Sequence, residues 1–194
     1  MSLNLETDLT SALKSFTKIP HASIEKNLLR HLRNISCNAD YISILRLMYG
    51  YYHPLENKIE AVLGREESSR KAAWILKDLD ILGNRFHNTP LCIELPVITD
   101  EAEALGALYV LEGSTLGGVH IAQMIAKKIP GNPGLPLAFF EGYGADTLDR
   151  WKRFCSVLNE KNFSPREKEK ALTTAGQTFV LFEKWIRENE PGTV

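Results

Sequence analysis

Two groups of residues in this 194-residue chain have types and spacing that could do chemistry. In the run Pro20-His-Ala-Ser-Ile-Glu25, His21 and Glu25 stand four residues apart and share one face of any helix that contains them. A carboxylate placed there can accept a hydrogen bond from one ring nitrogen, which fixes the tautomer and leaves the other nitrogen for a metal. The same pair also suits an ordinary contact on a helix surface. The second group is Gly113, Gly117 and Gly118, inside the apolar run LGALYVLEGSTLGGVHIAQMIAK at residues 105–127. Each glycine costs roughly 1 kcal/mol against alanine in a helix interior, so these three oppose the helix by roughly 3 kcal/mol. Some other interaction must offset that.

Glycines at i, i+4 and i+5 bare one helical face, and another surface can then lie against backbone; the helix can also kink there. Three readings fit. One is close helix–helix packing. A second is a phosphate loop, which lacks its Lys-Ser/Thr and its preceding strand. The third is a flat ligand, such as a porphyrin, resting on bare backbone.

The elements that must position these groups read as helices. A first one starts near Asp8 and sets Leu9, Leu13 and Phe16 on one face; Pro20 then kinks it or opens a new helix, leaving His21 at a defined bend. From Asn38 or Ala39, Tyr41, Leu45, Met48 and Tyr52 form a stripe, and Met48 reads as core filler. Pro54 suits the first turn of a separate short helix ending at Gly64. Ser68 or Ser69 opens another, with Ala72, Ala73, Leu76 and Leu79, closing at Gly83. Residues 84–99, with Pro90 and Pro96, hold no sustained period and form a connection carrying a solvated His87. Asp100 and Glu103 make a capping-box start for the glycine helix. After a turn-rich break, Phe139-Phe140 precede a Gly-Tyr-Gly turn as a hydrophobic plug. Asp146 or Thr147 caps a helix holding Arg150, Trp151, Lys152, Arg153 and Phe154. Ser164, Pro165 and Glu167 then start an amphipathic helix with Leu172, Ala175, Phe179, Phe182 and Ile186 inward.

Composition narrows the function classes. The 23 basic and 24 acidic residues balance, which argues against an electrostatic nucleic-acid binder. Cys37, Cys92 and Cys155 are three and widely spaced, as in a reduced, cytoplasmic chain with unpaired thiols. The N-terminus is unlike a signal peptide, and no uninterrupted apolar run reaches membrane-spanning length. No segment alternates convincingly: residues 91–98, LCIELPVI, are ambiguous, and Pro96 argues against a central strand. The expected fold is all-α, one domain over residues 1–194, with seven or eight helices.

Taken together, these stretches resemble the heme oxygenases, most closely the bacterial branch associated with bacteriophytochromes. The resemblance covers nearly the whole chain: Leu13-Lys14, Thr17, Pro20-His21 and Glu25; LGALYVLEGSTLGG at residues 105–118; FFEGYG with Trp151; and Ala175, Phe179 and Trp185. It implies that His21 is the proximal iron ligand, with Glu25 its hydrogen-bonding partner. Lys14, two turns earlier on the same helix, matches a basic residue near a heme propionate, and Arg150, Lys152 and Arg153 are candidates for the other propionate cations. Gly113, Gly117 and Gly118 match the distal glycines, and Phe179 the aromatic lining the pocket. Mammalian-type members carry Asp after the first distal glycine, where it orders distal water; this chain has Ser114, as do bacterial relatives regarded as active. Glu112 is adjacent but points about 100° away.

The resemblance further implies that heme is both substrate and cofactor, opened with O2 to biliverdin, carbon monoxide and ferrous iron. Proton delivery would run through water on carbonyls freed where the glycines bend the helix. With no flavin or nicotinamide fingerprint, the electrons would come from a ferredoxin or flavodoxin, and a bacteriophytochrome could accept the biliverdin. His31, His53 and His120 are the rival iron ligands. A heme-binding or heme-delivery protein without turnover is the alternative that the same residues allow.

Overall fold

The computed structural model describes residues 8–64, 71–84, 89–129, 132 and 134–189, and every regular element among them is helical. In order these are α1 Leu9–Phe16, α2 Lys18–Arg33, α3 Asn38–Leu63, α4 Lys71–Ile81, α5 Glu101–Lys128, the four-residue α6 Ala138–Glu141, α7 Thr147–Glu160 and α8 Pro165–Glu188. A 3-10 turn at Gly144–Asp146 precedes α7. The expected all-α fold is thus the one observed. The expected starts at Ser68 or Ser69 and the solvated His87 lie outside the described residues.

Local chemistry sets the ends. The Asp8 carboxylate accepts from Ser11 N at 2.8 Å to start α1. Ser164 and Glu167 close a reciprocal capping box at α8, with Pro165 in the first turn. At α5 the arrangement differs from the expected box: Asp100 accepts from Glu103 N at 3.0 Å, but Glu103 reaches past it to Thr99 N at 2.7 Å. Lys170 of α8 pairs with the same Asp100.

Two expectations at prolines are corrected. The chain breaks at Thr17, so α2 begins two residues before Pro20, and Lys14 and His21 stand on different helices. Pro20 thereby falls in the first turn of α2, where a missing N–H leaves no bond unmade. Pro54 starts no helix but lies inside the 26-residue α3. A proline there removes the bond to the carbonyl four residues back, Gly50. The Cys92 N–H donates to that Gly50 oxygen at 2.8 Å, so the acceptor stays satisfied and the helix continues. This is also the use of residues 89–99: they form an irregular strap, with Ile93 97% exposed, and not a strand.

α8 is the spine of the molecule, with α1, α2, α3 and α5 all packed along it. Its Leu172, Ala175, Phe179, Phe182 and Ile186 are buried, as their spacing predicts. Tyr41, Leu45, Met48 and Tyr52 of α3 are buried too. On α4 the buried positions are Lys71, Ala72, Ile75, Asp78 and Leu79, while Ala73 and Leu76 face out. Phe139 and Phe140 plug the core from α6, which the Asp78 carboxylate holds by accepting from Ala138 N and Phe139 N, both at 2.9 Å.

Candidate functional site

A cavity of about 420 Å³ opens between α2 and α5, each of which leans on α8. Its walls carry a polar rim and an aromatic interior. Lys14, Thr17 and Lys18 come from the α1–α2 junction, His21, Ile24 and Glu25 from α2, and Tyr52 from α3. α5 supplies Tyr109, Val110, Gly113, Ser114 and Leu116, and Trp151, Phe179 and Phe182 complete the lining from α7 and α8.

The structure therefore brings Lys14, His21, Glu25, Gly113, Ser114 and Phe179 to one place. The His21 ring stands edge-on to Phe179, centroids 5.4 Å apart at 77°, so an aromatic on α8 sets the orientation of the imidazole. Among the described residues no hydrogen bond joins His21 to Glu25, although both line the cavity. Lys14 and Lys18 are exposed at its rim.

The glycines divide by direction. α5 is helical across all of them. Within it the Ser114 and Thr115 hydroxyls donate back to Leu111 O and Glu112 O, both at 2.7 Å. Gly113 faces the cavity, where an added methyl would sit 3.5 Å from the Trp151 ring. Gly117 is exposed, with open space beside it, and does not line the cavity. Gly118 is buried on the opposite side, where a methyl would lie 2.1 Å from Phe140 O. That position serves contact between α5 and α6.

The late cations also point elsewhere. Trp151 occupies the cavity, and its helical neighbours are turned about 100° from it on either side. Arg150 lies over the Tyr143 ring at 4.3 Å, Lys152 is 3.9 Å from Asp149, and Arg153 bonds the Asp149 carbonyl. None of the three lines the cavity. The cation that sequence reasoning overlooked is Lys18, three residues before His21 on α2, a spacing that puts the two near one helical face. Tyr52 and Tyr109 were overlooked as well, because a buried tyrosine on an apolar stripe reads as core.

The cavity's electrostatics follow from burial. Desolvation pushes the Tyr52 hydroxyl up to about 12, opposed by its hydrogen-bonding neighbour Ser114. Desolvation likewise pushes Tyr109 up to about 12. Both phenols remain neutral donors at physiological pH.

An apolar, aromatic-walled slot with one imidazole inside and two ammonium groups at its rim defines a site for a flat, metal-bearing, anionic ligand. The comparisons with known proteins narrow this class. The heme oxygenase family model matches residues 91–188. A heme oxygenase of Xanthomonas campestris pv. campestris (strain 8004) is 32% identical over 139 residues, covering 71% of this chain and 80% of that protein. Among solved structures, the NO- and CO-bound heme oxygenase from Neisseria meningitidis has the same fold, at TM-score 0.71 and 19% identity over 96% of this chain and 98% of that one. The chain belongs to the heme oxygenase family.

The residues present fit heme. Imidazole nitrogen is a suitable donor to iron, the apolar walls match a macrocycle, and Lys14 and Lys18 are complementary to carboxylates at its edge.

Proposed function

We propose that this chain is a working heme oxygenase that opens heme to biliverdin, carbon monoxide and ferrous iron, using O2 and electrons from a separate donor protein. The observation that carries the reading is the single cavity shared by His21, Lys14, Gly113, Ser114 and Phe179.

Bound heme would supply the iron that activates O2 and the meso carbon that is attacked. His21 would ligate the iron through one ring nitrogen, its plane set by the edge contact with Phe179. Glu25, on the same helical face, would accept from the other nitrogen after a rotamer change. Lys14, joined by Lys18, would pair with the propionates and so fix the rotation of the macrocycle. Gly113 removes a side chain from the opposite wall, which would leave room there for a flat macrocycle. The Ser114 hydroxyl, bonded to Leu111 O and neighbouring Tyr52, stands where a proton can be held at its Oγ. Trp151 and Phe182 add apolar surface to the lining.

The finer assignments belong to the same reading. A ferredoxin or flavodoxin is the electron donor we propose, and membership in the bacteriophytochrome-associated branch would make a phytochrome the acceptor of biliverdin. Cys37, Cys92 and Cys155 are all free thiols, in keeping with a reducing cytoplasm. Among the described residues no helix is long and apolar enough to cross a membrane.

The test is a hemin titration of the purified protein, followed by reduction with a ferredoxin system in air with catalase present. A 1:1 histidine-ligated spectrum followed by biliverdin absorbance is expected. Hemin binding without biliverdin would leave a carrier of the same fold. In His21→Ala the histidine-ligated spectrum should be lost while far-UV helicity is kept; an unchanged spectrum would remove His21 from the iron.

A further inference from the structure

A buried charge cluster lies directly behind the α5 wall of the cavity. Lys71, at the start of α4, is 1% exposed, and its ammonium pairs with the Glu112 carboxylate of α5 at 2.7 Å. Glu112 is the residue before Gly113. The Tyr143 hydroxyl donates to the same Glu112 oxygen at 3.2 Å. The Lys71 ammonium sits 5.3 Å from the Tyr143 ring and 5.7 Å from the Trp74 ring. Arg150 covers the other reach of Tyr143 at 4.3 Å. From α3, the Glu56 carboxylate accepts from Lys71 N at 2.6 Å and Ala72 N at 3.1 Å, so the backbone of the same lysine is clamped as well.

Burying an ammonium is costly unless it is paired, and burial pulls Lys71 down while Glu112 opposes that shift. A well-packed apolar pair in the same space would often be as stable, so stability alone does not account for the cluster. What an ion pair adds is direction. It fixes one oxygen of Glu112 against one nitrogen of Lys71, and with it the rotational setting of the α5 turn. That turn presents Gly113 and the Ser114 hydroxyl to the cavity.

We propose that Lys71 is a positioning residue for the cavity, acting through Glu112 to hold the turn Glu112–Gly113–Ser114 in register with the bound macrocycle. The inference rests on the cavity being the heme site, and it is separable from that reading. Glu112 pairs with Lys71 of α4, accepts from Tyr143 and acts on Tyr52 of α3, while Glu56 of α3 and Arg150 of α7 face Lys71. Among the described residues, the carboxylates of Glu56 and Glu112 and the cations of Lys71 and Arg150 offset one another there.

The test compares wild type with Lys71→Met and Glu112→Gln by amide hydrogen exchange of the full chain without hemin, and then by hemin titration. In Lys71→Met the amides of residues 112–118 should exchange at least about tenfold faster with α8 unchanged, since local opening is read segment by segment. Hemin affinity should fall about tenfold, with a shifted visible spectrum for the hemin that binds. Glu112→Gln keeps the hydrogen-bonding shape but not the charge, and should loosen the same segment less. Exchange that rises evenly over the chain, or stays unchanged at residues 112–118, would overturn the positioning role. If wild type itself binds no hemin, the cavity reading falls, and the exchange pattern still decides whether Lys71 sets this turn.

Discussion

The two sides of α5 use the same residue for opposite ends. On one side Gly118 lets backbone meet backbone, and a methyl there would lie 2.1 Å from Phe140 O of α6. On the other side Gly113 and Gly117 meet no backbone, and Gly113 faces the cavity. Glycine on the packed side is required by the fold, and glycine on the open side is required, if at all, by what the cavity admits. Reading all of them as one bare face merges two separate reasons.

The largest effect expected is at Gly118→Ala. Phe140 O is backbone and cannot rotate away, so α5 and α6 must part. Overpacking of this kind costs typically up to about 3 kcal/mol. For a chain of this size that corresponds to a fall of about 6–12 °C in the melting midpoint. A midpoint within a degree of wild type would mean that α6 yields freely and the packed side is not packed.

Gly113→Leu probes the other side at the cavity. A methyl there meets only the Trp151 ring at 3.5 Å, so the rest of a leucine has to project into the slot. Folding should be nearly unchanged, while hemin affinity drops by about tenfold or more, equivalent to about 1.4 kcal/mol. Loss of folding with intact hemin affinity in the remaining protein would reverse the assignment of sides.

A change at the start of α5 should favour neither side. Asp100 caps the helix and pairs with Lys170, and these contacts, the Lys170 bond foremost, hold its carboxyl below the ordinary 3.8. A folded-state value below the unfolded one contributes stability above the unfolded value and loses it as pH falls through the folded one. Asp100→Ala should therefore cost about 1 kcal/mol at neutral pH. The gap in melting midpoint between variant and wild type should close as the pH drops below 3.8. A gap independent of pH would mean that the carboxylate charge has no part in the cap.

How much of this was legible in the sequence depended on how local the cause was. The start of α8 and its buried stripe could be read because Ser164, Glu167 and the helical repeat act within a few turns. The continuity of α3 through Pro54 could not, since the N–H that rescues Gly50 O belongs to Cys92, far along the chain. On α7 Trp151 lines the cavity, and Arg150, Lys152 and Arg153 lie outside its lining. Charge suggests a solvated face, and only tertiary packing shows which way the helix turns. Lys71 escaped notice for the same reason, as a lysine that is 1% exposed contradicts what its type predicts.

The smallest effect, and the one most specific to the contrast, is at Gly117→Ala. Gly117 adjoins Gly118 in the chain, but nothing lies within 4 Å of a methyl built there. With no clash to oppose it, the substitution should recover helix propensity and reduce the freedom of the unfolded chain, stabilising by about 0.4–1 kcal/mol. The melting midpoint should rise by about 1–4 °C. Hemin affinity should hold, since Gly117 is not part of the cavity lining. Adjacent alanine substitutions would then have opposite signs, which helix propensity alone cannot produce because it would raise both. If Gly117→Ala lowers the midpoint instead, the outer surface of α5 is in contact with something that packs as closely as α6.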